Sequence, residues 1–209
     1  IHDPKLKGTD ATWPTAQFNQ ELYDKGAIVR RDGTVKKGFK QRGYNLSPIA
    51  ARPYVEDRVT TNFAKVPYNY YFVDCDAYGQ VFDDYTTGRM VTQHEDAMER
   101  NRRMKWITDK FDAVIGSEGG SSYSAPAIHV AEGMFLSAFG WGDADLSDKA
   151  SEYYEGGYWP PDAPTNFFKP SKLKAKYRYL NYDPQFRLPL FEVVFHDSVI
   201  ATNHWGKDN

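Results

Sequence analysis

Apolar residues in this chain come in short runs separated by long polar stretches, and carboxylates or other polar groups recur where the runs end. Tyr70, Tyr71, Phe72 and Val73 make the most compact run, bounded by Pro67 and Gly79. Aromatic and β-branched residues at this density predict a short buried strand. Side chains alternate faces along a strand, so Asp74 and Asp76 at its end are expected on one face and Cys75 on the other. Charges seldom stand at the ends of core strands unless they are paired or used. Further on, Thr92 with Glu95 three residues later carries the capping-box signal of a helix start. Behind it His94, Ala97, Asn101, Met104, Ile107 and Phe111 recur at spacings of three and four, predicting a helix with one buried face. His94 is read as a first-turn helix residue. Ala113-Val114-Ile115-Gly116 is a second short apolar run, closed by Ser117-Glu118-Gly119-Gly120-Ser121-Ser122. Strand, helix, strand at this spacing predicts a βαβ unit of a parallel sheet. A right-handed crossover carries both acidic strand ends to one edge of the sheet, where such folds meet their ligands.

The flanking stretches are less regular. Ile1 to Pro4 reads as the tail of a strand whose body lies upstream, and the chain as an excerpt of a longer protein. Residues 5–20 predict a loop, and Asn19 to Tyr23 one helical turn. Asp32-Gly33 between two β-prone runs predicts a hairpin over 27–37, inserted rather than core, with a basic solvated flank. Gly43 to Ile49 suggests a short strand, and Pro53 to Phe63 a weak helix with Tyr54, Val55, Val59 and Phe63 on one side. Tyr123 to Phe139 reads as loop then helix, with Ile128, Ala131, Phe135 and Phe139 along one side. Residues 143–171 form a long aperiodic loop of the kind that serves function. Lys172 to Tyr182 suggests a short helix. Leu188 to Asp197 reads as a third buried strand, whose His196-Asp197 exit echoes His2-Asp3.

Composition narrows the function classes. The 26 Lys and Arg against 28 Asp and Glu give a formal charge of −2, so no electrostatic footprint for nucleic acid or an anionic membrane is present. Aromatic residues make up 16% of the 209 residues, a surplus suited to stacking on sugar faces. The lone cysteine, Cys75, rules out an intrachain disulfide and a cysteine-based metal cluster. No apolar run approaches the length of a membrane-spanning helix.

Two carboxylates on neighbouring strand ends suit acid/base or nucleophilic work at a glycosidic bond. One must be ionised to attack or stabilise the anomeric carbon, and the other protonated to release the leaving oxygen. The step from Asp74 to Glu118 has the length of one strand-loop-helix-strand unit, and Gly116, Gly119 and Gly120 let the backbone turn closely around a ligand. The glycines lack the following Lys and Ser/Thr of a phosphate loop, and the five histidines lack zinc spacing. Asp83, Asp84, Asp143 and Asp145 leave an oxygen-ligated divalent cation such as calcium open, though they do not form the standard loop signature. Tyr78, Tyr123, Trp141, Trp159 and Trp205 are candidates for a sugar platform.

The strings V-D-C-D-A-Y-G, S-E-G-G and L-P-L-F-E-V-V-F-H-D resemble the catalytic domain of bacterial endo-α-N-acetylgalactosaminidases and related α-N-acetylgalactosaminidases, which act on mucin-type glycans. The resemblance implies an α/β fold, a (β/α)8 TIM-type barrel of which residues 1–209 are one catalytic segment, and a retaining mechanism without a cofactor. It places the nucleophile at Asp74, with Asp76 as the alternative, and the acid/base at Glu118. It implies that His2, Asp3, His196 and Asp197 hold sugar hydroxyls. The partner is then an oligosaccharide or glycoprotein glycan, and the expected setting is extracellular, periplasmic or at the cell surface. A non-catalytic carbohydrate-binding homologue and a metal-assisted barrel hydrolase are the competing readings.

Overall fold

A computed structural model describes residues 19–38, 41, 43–135, 143–146, 148–154, 172–186 and 190–203. Four parallel strands, β1 (Tyr70–Val73), β2 (Val114–Glu118), β3 (Val130–Phe135) and β4 (Ile200–Asn203), lie side by side in chain order. The predicted βαβ unit is present: β1 and β2 are parallel neighbours joined by helix α3 (Gln93–Phe111). Thr92 Oγ1 accepts the Glu95 N–H while the Glu95 carboxylate accepts the Thr92 N–H, so the capping box closes as expected. The helix ends at Asp112, whose left-handed backbone (φ 52°) terminates the helical path.

The sheet has two unlike faces. Tyr71, Val73, Ile115, Ser117 and Ala131 alternate onto one of them. Ile115 and Ala131 there join Met104 and Ile107 of α3 in the core, with Val55, Val59 and Phe63 of α2 (Pro48–Lys65). Phe63 stacks on Phe111 at 4.1 Å between centroids, sealing α2 against α3. The opposite face carries Tyr70, Phe72, Gly116, Glu118, Val130 and Glu132, all half-buried except Gly116. At its margins Val114 and Ile200 stand exposed.

Ahead of the sheet, α1 (Gln20–Gly26) is longer than the single predicted turn. The hairpin over 27–37 exists, bridged at Val29 and Val35 around Gly33 (φ 81°), and a third arm joins it through Lys37–Tyr44 and Ala27–Leu46. This arm is the strand expected at 43–49, cut short because Pro48 already opens α2. The buried Asp84 ties the unit to the loop after β1: its carboxylate accepts the Val29 N–H at 3.1 Å and pairs with Arg89 at 3.0 Å.

Two expected elements are replaced. Residues 130–135 form strand β3 instead of a helix, and the register irregularity between Ala131 and Phe135 spans Gly133 at φ 82°. Spacing of Ile128, Ala131 and Phe135 suited a helix, but a mid-helix glycine is unfavourable and the buried Ala131 needs the flat sheet surface. Leu190–Phe195, read as a strand, is helix α5. Phe191 and Phe195, four residues apart, face the core with ring centroids 4.9 Å apart, while Leu190, Val193 and Val194 stay exposed. A short apolar run carries no period that separates strand from helix. Helix α4 (Ala175–Tyr182) lies within the expected helix at 172–182. No described helix is long and apolar enough to cross a membrane.

Candidate active site

The register Val73–Ser117 sets the next residues, Asp74 and Glu118, beside each other at the carboxyl edge of adjacent parallel strands. β1 stops at Val73 and the chain turns sharply, with Cys75 in the left-handed region at φ 59°. That kink reverses the expected sidedness. Cys75 does not point away: its thiol donates to Glu118 Oε2 at 2.9 Å and lies 3.5 Å from Asp74 Oδ1. One oxygen each of Asp74 and Glu118 and the Cys75 sulfur fall within 4.8 Å of one another. Burial, then the Glu118 carboxylate, push the Asp74 pKa up, while the thiol contact works in the other direction. Burial, then the hydrogen bond to Glu118, push the Cys75 thiol far above its ordinary range, so it stays protonated.

Asp76, expected on the face of Asp74, turns inward instead. It is 4% exposed and is clamped by Arg100 at 3.4 Å and by a two-pronged contact from Arg103, both cations projecting from α3. Arg100 also donates to Asp96 at 2.5 Å. The turn is fastened to the exit of β2 from its other side: the Ala77 N–H donates to Ser117 Oγ, Ser121 and Ser124 hydroxyls donate to the Ala77 carbonyl, and Tyr123 donates to the Asp76 carbonyl at 2.9 Å. Asp74 is thus presented on a turn whose backbone is held by α3 and by the Gly-Ser loop. The ring of Tyr78 lies against Gly119 (φ 66°), where a Cβ would meet it at 2.9 Å, and is 47% exposed at the same edge.

Tyr70 and Glu132 escaped the sequence reading as site residues, and Gly116, expected to let the backbone turn around a ligand, instead makes room for the Tyr70 ring. Glu132 is the register partner of Glu118 on the next strand, on the same face. Tyr70 crosses over Gly116 and donates its phenol to Glu132 Oε1. Burial, followed by the Glu132 bond, pushes the phenol pKa well up, which keeps it a donor. The signal in the sequence was the glycine within an otherwise apolar run, which marks close approach of another group.

Of the other expected residues, Tyr123 is half-buried and spends its hydroxyl on the turn. His196 and Asp197 are exposed in the link from α5 to β4, at the edge where the strands begin, opposite to Asp74 and Glu118. Their expected place at a strand exit fails because the segment before them is helical. His2, Asp3, Trp141, Trp159 and Trp205 lie outside the described residues. The carboxylates considered for calcium are otherwise engaged: Asp83 accepts from Gln93, Asp84 pairs with Arg89, and Asp143 and Asp145 share Lys174. Asp74, Cys75 and Glu118 are the group among the described residues with ligand atoms close enough for a metal, and a thiol with two carboxylates suits a softer ion such as zinc better than calcium.

Comparison with known families decides the class. Residues 2–209 match the family described as glycosyl hydrolases related to family GH101, GH129. The chain belongs to that family. Its fold is also that of solved structures of the α-N-acetylgalactosaminidase NagBb from Bifidobacterium bifidum. The form in complex with GalNAc is 18% identical, with a TM-score of 0.53 over 88% of this chain and 24% of that one. The form with Gal-NHAc-DNJ gives 17% identity and a TM-score of 0.55 over 84% and 23%. The chain therefore spans about a quarter of the length of these structures. No curated protein sequence matches it. Family membership places the chain among the glycoside hydrolases.

Proposed function

We propose that this chain carries the reacting carboxylates of a retaining α-glycosidase acting on α-linked N-acetylgalactosamine or galactose of glycans. The observation that carries the reading is the Asp74–Glu118 pair on adjacent strand ends, with oxygens within 4.8 Å. Carboxyl groups about 5–5.5 Å apart belong to retaining enzymes, whereas inverting ones leave about 6.5–9.5 Å for a water. Asp74 attacks the anomeric carbon, and Glu118 protonates the leaving oxygen and then deprotonates the incoming water. Asp76 is a poor alternative nucleophile, since its oxygens are already engaged by Arg100 and Arg103. The Cys75 thiol gives its one proton to Glu118 Oε2 and lies 3.5 Å from Asp74 Oδ1, a neutral neighbour that adds no charge to the pair.

The same reading extends to the fold. Parallel sheets are covered on both faces, and among the described residues the helices that contribute to the core, α2, α3 and α5, do so with Ile115 and Ala131, on the face opposite Tyr70, Phe72, Glu118 and Glu132. Curling of further strands into a (β/α)8 barrel would turn the Tyr70 face inward, with the acids at its carboxyl-end mouth. The sugar preference rests on the NagBb likeness, and a glycan substrate is in keeping with an extracellular, periplasmic or cell-surface setting.

Hydrolysis of a panel of aryl α-glycosides by the full-length protein, followed by proton NMR, tests the proposal. The α-anomer is expected as the first product. Release of the β-anomer first would refute retention, and sugar binding without turnover would favour a carbohydrate-binding homologue. In Glu118→Gln, substrates with activated leaving groups should be cleaved far better than those needing protonation.

A further inference from the structure

Glu132 has no part in the two-carboxylate step, yet it stands level with the pair. It is the register partner of Glu118, on the same half-buried face, which puts acids on three consecutive strand positions: Asp74, Glu118, Glu132. Like charges gathered in this way oppose folding, and an apolar residue at 132 would fill the face at lower cost. The arrangement is also built. Tyr70 starts at the far end of β1, crosses the central strand and donates to Glu132 Oε1. Its path requires glycine at 116, where a Cβ would lie 1.7 Å from the phenol oxygen. The bond aims one carboxylate oxygen and leaves the other, Oε2, with no hydrogen bond among the described residues.

We propose that Glu132 contacts the substrate in the same site, accepting hydroxyl or amide N–H donors of the sugar ring held at Asp74 and Glu118, and that Tyr70 is the positioning residue that aims it. This rests on the α-glycosidase reading above. An ionised carboxylate offers about four acceptor sites on two oxygens, and Tyr70 occupies one of them. A carboxylate suits a ring rich in hydroxyls, or one hydroxyl beside an acetamido N–H, because each is a donor that water no longer satisfies once bound. A site built to accept such donors discriminates sharply against sugars that lack them.

The test is a cycle between variant and substrate in the full-length protein. Wild type, Glu132→Gln and Tyr70→Phe are each assayed on an aryl α-N-acetylgalactosaminide and its 3-, 4- and 6-deoxy analogues. On the parent sugar, Glu132→Gln is expected to lower kcat/KM by about 10- to 100-fold, the scale of a hydrogen bond to a charged group, with most of the loss in KM. Tyr70→Phe should act in the same direction and more weakly. On the analogue lacking the contacted hydroxyl, wild type should lose a similar factor and the variants should lose little more. An equal penalty on every analogue, accompanied by a lowered Tm, would make Tyr70–Glu132 a strut between strands and overturn the proposal. Should Glu132→Gln not fold, Tyr70→Phe keeps the ring over Gly116 and carries the same comparison. Calorimetric titration with N-acetylgalactosamine separates this inference from the enzymatic reading. Absence of turnover by wild type sinks the glycosidase, while weaker sugar binding by Glu132→Gln still supports the contact. Binding unchanged by Glu132→Gln, or no binding by wild type, sinks the contact.

Discussion

Gly116→Ala exposes the tightest dependence in the structure. The backbone at 116 is ordinary β, so alanine brings no conformational strain, and the whole effect is steric. The new Cβ would stand 1.7 Å from Tyr70 Oη, 2.5 Å from Cζ and 3.1 Å from Cε2. Ordinary contact begins near 3.4 Å, so the phenol end must retreat by more than 1.5 Å, and the neighbouring backbone of β2 cannot yield without disturbing both of its partners. Overpacking of this kind costs about 1–3 kcal/mol. Displacing the ring also breaks its bond to Glu132, about 1.5–3 kcal/mol for a hydrogen bond to a charged group. Together these predict a loss of about 2.5–6 kcal/mol, a Tm lower by roughly 5–24 °C for a chain of this size. Thermal and urea unfolding of wild type and Gly116→Ala measure it directly. A second substitution, Tyr70→Val, vacates the space above 116, so Gly116→Ala should cost much less in that background. An unchanged Tm for Gly116→Ala alone, or an equal loss in both backgrounds, would refute the crossing of Tyr70 over β2.

Asp76→Ala should destabilise the fold by about 3–5 kcal/mol, because it strands Arg103 and half-strands Arg100 where both are largely buried; calorimetry checks this, and added azide should not restore activity, whereas it should for Asp74→Ala. Asp74→Asn should raise the Tm at neutral pH. The raised folded-state pKa means that the carboxyl is without cost below its unfolded value near 3.8 and destabilises as pH rises through the folded value, so the gain should fade on acidification, and a gain that grows at low pH would contradict the sign. Cys75, though exposed, should alkylate with iodoacetamide at pH 8 far more slowly than a free thiol, because local desolvation and the hydrogen bond to Glu118 keep it protonated, and Glu118→Gln should speed the reaction.

Local sequence determined the parts whose signal is local. The capping box at Thr92–Glu95 and the three-and-four spacing behind it specified α3, since its cap and its buried face are both encoded within one helix. The aromatic run at 70–73 specified β1, and the Asp-Gly turn specified the hairpin. Asp74 and Glu118 were legible as a pair because a βαβ unit returns the chain to the same edge one strand over. What tertiary structure decided was every question of facing and company. A left-handed residue at Cys75 sent Asp76 into the arginines of α3 and brought the thiol to the acids, a rotation that strand alternation excludes. The apolar runs at 130–135 and 190–195 exchanged their expected types, because packing of Ala131 on α3 and of Phe191 with Phe195 on the core outweighs weak local preference. Glu132 became part of the site only through registration of β3 beside β2. Residues that far apart in facing are joined by hydrogen bonds between strands, and no periodicity within either segment carries that information.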